Sequence, residues 1–180
     1  MTAGLPFDPL LAAAQAGAGW ARARLYEWLA PAVTGYARAQ GVADPGDLAS
    51  DVFVAVLAGL PNFAGDERSF RSWVFTIAYR RVADQRRAHF KAPPALVAPA
   101  AWAPSAEDVA LAHLGQDRVE QLLATLTPDQ RHVLALRVIA DLSLEQVAEI
   151  VGKPLGAVKA LQHRALATLR RSLSGEPISR

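Results

Sequence analysis

The sequence predicts an all-α fold in which two small helical domains are joined by a linker rich in proline and alanine. Apolar residues recur at helical spacing in both halves of the chain, and no stretch shows sustained alternation of apolar and polar residues. Helix-capping residues stand at fixed spacing in the second half. Between the halves, Pro93, Pro94, Pro99 and Pro104 are too dense for a regular helix or sheet, which indicates a linker.

The linker divides the 180 residues into two parts. We expect the first domain at residues 1–92, the linker at 93–106 and the second domain at 107–175. Trp102 is unusual in a segment of this composition. It is interpreted either as a loosely docked aromatic residue or as a foothold for a partner surface, and the sequence leaves both interpretations open.

Composition excludes several kinds of protein. The chain has no cysteine, which excludes disulfides, thiolate zinc sites and a thiol redox switch. It also lacks a signal peptide and any apolar run long enough to cross a membrane, so we expect a cytoplasmic protein. The formal charge of +2 is too small to indicate nucleic acid by itself. No metal and no cofactor are expected, because metal-ligand spacing is missing among His89, His113, His132 and His163.

The first domain contains three apolar helical patterns followed by a long helix predicted over about residues 69–89. The patterns are "DPLLAAAQAG", "WARARLYEWLAPAVTGYARAQG" and "DLASDVFVAVLAGL". At 100° per residue, one side of the long helix carries Phe70, Val74, Ile77, Ala78 and Val82. The opposite side carries Ser72, Thr76, Tyr79, Arg80, Ala83 and Arg87, with Trp73 at the margin. Such a face is usually a solvated helix surface, but aromatic rings beside arginines also suit the stacking of unpaired bases.

Two capping boxes mark helix starts in the second domain. "TPDQ" at 127–130 places a capping threonine three residues before a glutamine, and "SLEQ" at 143–146 repeats the arrangement with serine. The first of these helices is predicted to run to about Ala140, and the second to end at Gly152. A longer helix begins near Pro154 after the short turn "VGKPLG". Two helices joined by a tight turn that contains glycine indicate a helix-turn-helix.

The last helix carries positive charge without any negative charge. No Asp or Glu lies between Glu149 and Glu176. The side chains predicted to face inward are Val158, Leu161, Ala165, Leu166, Leu169 and Leu173. Those predicted to face outward are Lys159, Ala160, His163, Arg164, Ala167, Arg170 and Arg171. Because phosphates line the major groove that receives such a helix, this distribution favours duplex DNA over a solvated bundle helix as the partner.

Two long segments resemble a known family. "DLASDVFVAVLAGLPNFAGDERSFRSWVFTIAYRRVADQRR" is similar to region 2 of the extracytoplasmic-function (ECF) sigma factors of the sigma-70 family. "LLATLTPDQRHVLALRVIADLSLEQVAEIVGKPLGAVKALQHRALATLRR" is similar to their region 4. The resemblance implies a subunit of bacterial RNA polymerase that selects promoters, with region 2 reading the −10 element as single strand and region 4 reading the −35 element as duplex. It also implies three partners: RNA polymerase core, promoter DNA and an anti-sigma factor.

The resemblance and the outward faces together define three sets of site residues. The set expected to contact RNA polymerase core is Asp47, Leu48 and Asp51. The set expected to contact the −10 element is Asn62, Phe63, Asp66, Trp73, Thr76, Tyr79, Arg80 and Arg87. The set expected to contact the −35 element is Lys153, Lys159, Ala160, His163, Arg164, Arg170 and Arg171. His163 is interpreted equally well as an ordinary surface residue.

The chain departs from the family pattern at four positions. Ser50 stands where relatives usually have glutamine, which is expected to weaken the polymerase contact. Arg80 replaces a common asparagine, so the −10 preference is expected to differ. Pro154 replaces a common capping serine, and Leu161 replaces a common arginine and with it one phosphate contact.

Two other functions compete with promoter selection. The alternative is a helix-turn-helix regulator that binds duplex operator DNA without core polymerase. An enzyme is not expected, because the sequence has no nucleophile–base arrangement, phosphate loop or paired-carboxylate site and so offers no small-molecule substrate site.

Overall fold

The structure, a computed structural model, describes residues 6–91 and 118–174. We call these two ranges the first unit and the second unit. Within them every regular element is helical, which confirms the predicted all-α class. The linker at 93–106 with Trp102 lies outside the described residues, as do His113 and the side chain of His89.

The first unit contains four α-helices and one short 3-10 turn. They are α1 (Phe7–Gln15), α2 (Gly19–Ala39), α3 (Pro45–Gly59), the 3-10 turn Leu60–Asn62 and α4 (Glu67–Lys91). Their apolar sides meet in a core whose largest fully buried side chains include Tyr36, Phe70 and Phe75. α4 begins two residues earlier than predicted, because Asp66 accepts a hydrogen bond from the backbone N–H of Ser69 at 2.8 Å and so stabilises its first turn.

The second unit consists of four helices. They are α5, described at residues 118–124, α6 (Pro128–Val138), α7 (Leu144–Val151) and α8 (Leu155–Ser174). Both predicted capping boxes are present, at Thr127 and at Ser143. α7 ends at Gly152, whose φ of 65° is the left-handed conformation that glycine adopts without strain. The predicted helix-turn-helix is therefore formed by α7 and α8.

Two leucines on α8 are more exposed than predicted. Leu166 and Leu173 were expected to face inward, but 37% and 60% of their respective surfaces are exposed. α8 has 20 residues, whereas α6 and α7 that pack against it have 11 and 8. At 1.5 Å per residue, the last turns of α8 extend beyond its partners, and Leu173 has no core to enter.

The two units pack against each other. α2 contacts α6, and α4 contacts α7. One continuous cluster of buried side chains includes Val133, Leu136 and Ala140 from the second unit with residues of all four helices of the first unit. The sequence predicted two domains on a linker and did not anticipate this contact. None of the described helices is both long and apolar enough to cross a membrane.

Candidate nucleic-acid and polymerase interfaces

α8 presents four side chains to solvent in its N-terminal half, and three of them are polar. Lys159, Ala160, His163 and Arg164 are exposed, and we call them the reading face. The opposite side of the helix is fixed by the fully buried Val158 and Ala165. Arg164 donates from Nε to the carbonyl oxygen of Ala160 at 3.3 Å, so its side chain lies along the helix surface. A firmly packed helix with a basic outer row has the shape and charge needed to enter the major groove.

The remaining cations predicted for this set have different surroundings. Lys153 lies in the turn before α8 and forms an ion pair with Asp129 of α6 at 3.0 Å. Arg170 is exposed, whereas Arg171 is half-buried. Lys153 and Arg171 are therefore less available to a phosphate than the reading face is.

Asn62, Phe63 and Asp66 lie around the turn between α3 and α4. Asn62 and Asp66 are exposed. Hydrogen bonds from Ser69, first from its hydroxyl and then from its backbone N–H, hold the pKa of Asp66 below its ordinary value. Asp66 is thus a charged helix cap as well as a candidate base contact.

Phe63 and Trp73 form a half-buried aromatic pair beside this turn. Their ring centroids are 5.0 Å apart with an interplanar angle of 26°, and Phe63 also meets the buried Phe70 edge-on at 5.2 Å. Trp73 lies over Gly59, where a Cβ atom would approach its ring to 2.8 Å. The position of Trp73 therefore depends on the absence of a side chain at residue 59.

The outer face of α4 is only partly open. Arg80 and Arg87 are exposed, and Arg87 forms an ion pair with Asp84. The hydroxyl of Thr76 donates to the carbonyl oxygen of Ser72 at 2.9 Å. Tyr79 is half-buried, because its ring meets His132 of the second unit edge-on, with centroids 4.9 Å apart. The sequence places Tyr79 on the outer face of α4 and gives no sign of this packing partner from the second unit.

α3 has one buried side and one exposed side, and the predicted polymerase contacts fall on both. Asp47 and Asp51 are exposed. Leu48 is 0% exposed and belongs to the core, so it is corrected from a partner contact to a packing residue. Asp47 and Asp51 are four residues apart and share the outer face, whereas residue 48 is rotated by about 100° from Asp47, toward the core.

Two apolar residues that sequence reasoning missed continue the exposed side of α3. Val54 is 67% exposed and Leu57 is 39% exposed. They follow Asp51 at three and six positions, so they lie on or near the same helix face. We call Asp47, Asp51, Val54 and Leu57 the α3 stripe. The helical spacing from Asp47 was the signal that pointed to them.

The contact between the units is centred on His132 of α6, which is only 6% exposed. Its Nδ1 lies 2.7 Å from the hydroxyl of Tyr36 on α2, and its Nε2 lies 3.1 Å from Nη1 of Arg86 on α4. Arginine can only donate, so Nε2 accepts and the neutral ring carries its proton on Nδ1. Burial, and then the neighbouring Arg86, lower the pKa of His132 to about 4.

Arg86 extends the same network. Its Nη2 donates to the backbone oxygen of Gln40, the residue after α2, at 3.0 Å. Burial raises the pKa of the Tyr36 hydroxyl, so this group stays protonated. Sequence reasoning considered His132 only as a metal ligand and missed its role here. Within residues 6–91 and 118–174, no group of three acidic or histidine side chains is arranged to hold a metal ion.

Comparison with known families gives two matches in the order of the two units. Residues 25–91 match Sigma-70 region 2, and residues 122–171 match Sigma-70, region 4. Among curated proteins, the ECF RNA polymerase sigma factor ShbA of Streptomyces griseus is 40% identical over an alignment of 131 residues, which covers 69% of this chain and 69% of ShbA. The ECF RNA polymerase sigma factor SigD of Mycobacterium tuberculosis is 35% identical over an alignment of 173 residues, which covers 91% of this chain and 82% of SigD.

One solved structure resembles the whole arrangement. CnrH in complex with the cytosolic domain of CnrY matches 94% of this chain and 97% of the CnrH chain, with a TM-score of 0.70 and 27% sequence identity. The match extends over both units, so the fold of each has a counterpart in CnrH.

Proposed function

The chain belongs to the extracytoplasmic-function sigma factors of the sigma-70 family, and on that premise we propose which of its surfaces meet promoter DNA and polymerase. It is an RNA polymerase sigma factor, which directs promoter-specific initiation of transcription. The first unit, within a domain at 1–92, binds core polymerase and the −10 element. The second unit, within a domain at 107–175, binds the −35 element.

The observation that carries the −35 assignment is the reading face of α8. Lys159, His163 and Arg164 are exposed on the N-terminal half of the second helix of a helix-turn-helix, and α8 contains no acidic residue. Side chains at such positions reach base edges, while arginines further along meet phosphates. Arg170 is therefore proposed as a phosphate contact, with Lys153 and Arg171 as weaker ones.

The proposed −10 surface is centred on the α3–α4 turn and the outer face of α4. Asn62 and Asp66 are exposed at the turn, and Phe63 and Trp73 offer aromatic surface beside it. Arg80 and Arg87 supply exposed cations along α4, with Thr76 and Tyr79 between them half-buried. Aromatic rings stack on unpaired bases, and cations hold the backbone of the separated strand.

The α3 stripe is the proposed surface for RNA polymerase core. It combines the carboxylates Asp47 and Asp51 with the exposed apolar side chains Val54 and Leu57. Charges at the edge of an interface steer association, whereas buried apolar contacts supply most of the affinity. The stripe offers both in one helix face.

Four further properties follow from the family. We infer that the chain works in the cytoplasm, where polymerase and promoters are, and that it catalyses no reaction of its own. An anti-sigma factor is proposed as a further partner, because the similar chain CnrH was solved with the cytosolic domain of CnrY. We infer no small-molecule substrate.

Run-off transcription with core polymerase on genomic fragments tests this function. The wild-type chain should produce transcripts from defined start sites only when core is added, and the chain alone should bind duplex DNA weakly. The helix-turn-helix regulator predicts the reverse, with tight duplex binding by the chain alone and no transcript that depends on it. A variant with Asp47→Arg and Asp51→Arg is the matched control, since it keeps the DNA surfaces and reverses the charge of the α3 stripe.

A further inference from the structure

The last residue of α1, Gln15, makes two hydrogen bonds to the turn between α3 and α4. Its Nε2 lies 3.0 Å from the carbonyl oxygen of Leu60 and 2.8 Å from that of Phe63. Both neighbours are acceptors, so the side-chain amide turns its NH2 group toward them and donates one hydrogen to each. One side chain thus connects the start of the 3-10 turn to the residue that follows it.

The backbone of this turn needs such donors, because the helical hydrogen bonds end here. The 3-10 turn Leu60–Asn62 is only three residues long, and the N–H of Phe63 donates to the carbonyl oxygen of Leu60 at 3.1 Å to close it. A carbonyl oxygen accepts up to two hydrogen bonds, and oxygens at a helix end are satisfied by side chains or water. Gln15 supplies the second bond at Leu60 and a bond at Phe63. It therefore fixes the backbone on both sides of Asn62.

α1 is a rigid support for Gln15. The preceding residue, Ala14, is fully buried, and Nε of Arg22 on α2 donates to its carbonyl oxygen at 3.2 Å. At the other end of α1, the ring of Phe7 meets that of Phe70 on α4 with centroids 5.5 Å apart. The family match begins at residue 25, so it assigns no role to α1. These contacts fix α1 to two neighbouring helices and place its last side chain against the turn.

The segment held by Gln15 carries proposed contacts to the −10 element. Asn62 is exposed, and Phe63 stacks on Trp73 with ring centroids 5.0 Å apart. The chain packs tightly around the ring of Phe63, since a Cβ atom built on Gly65 would lie 3.1 Å from its Cζ. Recognition of a base requires its contacts to be held within about 0.5 Å. A displaced turn would lose selectivity even though every contact residue is still present.

We propose that Gln15 is a positioning residue for −10 recognition, whose two hydrogen bonds hold the α3–α4 turn in the shape that selects one base of the separated strand. The inference rests on the proposed function, because it assumes that this turn reads the −10 element. Gln15 is half-buried and its amide faces the backbone, so it acts through Asn62 and Phe63 rather than on DNA. The α3 stripe lies outside this hydrogen-bonded segment, so binding to core polymerase does not depend on Gln15.

Binding of the holoenzyme to labelled single strands tests the proposal. The strands carry the −10 element of a promoter identified by run-off transcription, with each position varied through all four bases. Gln15→Glu keeps the length of the side chain but replaces the two donated hydrogens by an oxygen that repels both carbonyls. We expect the preference for one base to fall by about fivefold or more at a single position, with affinity for core polymerase within about twofold of the wild type.

Two further variants separate loss of the hydrogen bonds from added charge. Gln15→Met has a similar length, no charge and no donor, and it should lose the same selectivity. Gln121→Glu makes the same chemical change at an exposed position of α5 and should keep the wild-type preference. Circular dichroism should show wild-type helix content for all three variants. If both Gln15 variants lost helicity, Gln15 would support the whole fold, and the proposal would be wrong.

A double-mutant cycle with Asn62→Ala distinguishes positioning from general stabilisation. If Gln15 acts through the turn, Asn62→Ala should reduce base selectivity in the wild type and much less in Gln15→Glu, because the contact is already displaced. Additive effects, or unchanged selectivity in both Gln15→Glu and Gln15→Met, would overturn the proposal. A wild-type holoenzyme without base preference at any −10 position would instead contradict the proposed function itself.

Discussion

Arg164 is the residue of the reading face best suited to distinguish one base from another. It is exposed on α8, one turn after Ala160, whose carbonyl oxygen receives its Nε–H. A guanidinium group can donate two parallel hydrogen bonds to O6 and N7 of guanine from a rigid planar fork, a geometry that lysine and histidine lack. Arg170 lies almost two turns further along the helix. The two arginines are therefore expected to differ in kind of contact.

Replacement of Arg164 by alanine should weaken binding at one −35 position selectively. Loss of a bidentate base contact corresponds to about 1–3 kcal/mol, and the preference for guanine at that position should disappear. Arg170→Ala is the matched control, and it should weaken all sequences alike and reduce the salt slope by roughly one. Both are measured by holoenzyme binding to a set of −35 variants at several salt concentrations. If Arg164→Ala weakened binding to all −35 variants equally, Arg164 would be a phosphate contact and not a base contact.

His132 is the titratable residue that holds the two units together. The groups that face it are Tyr36 from α2, Tyr79 and Arg86 from α4, and Asp129 and Arg131 from α6 itself. Burial and Arg86 favour the neutral ring, and the weaker attraction of Asp129 does not offset them. The contact therefore requires an uncharged histidine.

Packing of the second unit against the first, which we call closure, should weaken as the pH falls from about 6.5 toward 4. The pKa of His132 is lowered from 6.5 to about 4 in the closed form, so protons bind preferentially to the open form, and closure is at full strength above pH 6.5. At pH 5 the ratio of closed to open chains should be roughly 30-fold lower than at pH 7.5. The rate of disulfide formation in a Gly35→Cys, Ile139→Cys double variant, whose introduced thiols meet across the contact, reports this ratio once it is normalised to thiolate reactivity in a model peptide. His132→Gln, which does not titrate, should remove this pH dependence, and an unchanged dependence would assign it to another group.

At the scale of elements, α3 shows how one helix divides its residues between stability and partner binding. Leu48, Val52 and Val56 are buried in the core of the first unit. The α3 stripe occupies the exposed side. Both sets arise from the same 3.6-residue period, so the apolar residues of α3 cannot be assigned to one role from composition alone.

Substitutions on the two sides of α3 should therefore change different properties. Those on the exposed side should affect binding to core polymerase, and those on the buried side should affect the stability of the fold. Val54→Lys should leave the free energy of unfolding within about 0.5 kcal/mol and reduce affinity for core polymerase, because it places a charge within the apolar part of the interface. Leu48→Ala should lower the free energy of unfolding by about 2–5 kcal/mol through the cavity it leaves. Urea denaturation and fluorescence titration with core measure the two effects.

Ala12→Lys, on the exposed side of α1, is the control that adds the same charge elsewhere, and it should change neither measurement. If Val54→Lys binds core as the wild type does, the α3 stripe is an ordinary solvent-exposed surface. If Leu48→Ala binds core poorly while its stability is unchanged, Leu48 is a partner contact after all.

At the scale of the whole molecule, the two units pack against each other through helices that are distant in sequence. Hydrogen bonds from Arg71, Arg86 and Gln146 and the ring of His132 connect helices that are distant in sequence. The same contact buries apolar side chains of both units in one continuous cluster. A closed form reduces the apparent affinity of any ligand that needs the open form by the fraction of chains that are open.

A bulky residue at Gly35 should open the chain and strengthen binding to core polymerase. Gly35→Leu has no space toward Ile139, and leucine favours helix α2 by about 0.8–1 kcal/mol over glycine, so the first unit stays folded. If 1–10% of wild-type chains are open, affinity for core should rise about 10- to 100-fold. Gly19→Leu, on the same helix with open space around it, is the matched control and should bind as the wild type does. An unchanged affinity of Gly35→Leu, with helicity retained, would contradict the closed form.

Much of the fold could be predicted because its signals are local. The capping residues Thr127 and Ser143 lie within three residues of their partners. The turn at Gly152 needs only a residue that adopts the left-handed backbone conformation. The charge of the reading face is likewise a property of consecutive helical turns. The sequence by itself therefore determined the helical class, the helix-turn-helix and the surface proposed for the −35 element.

Only the tertiary structure decided which residues are buried and what lies between the units. Tyr36 and His132 are 96 residues apart, so no helical period or cap connects them. The linker between them gives no indication of how close they lie in space. The same reason explains Tyr79, whose packing partner belongs to the other unit. Leu48 and Val54 look alike as apolar residues of one helix, and only the helices around α3 make one of them core and the other surface. Burial depends on neighbours that are distant in sequence, and local sequence patterns do not identify those neighbours.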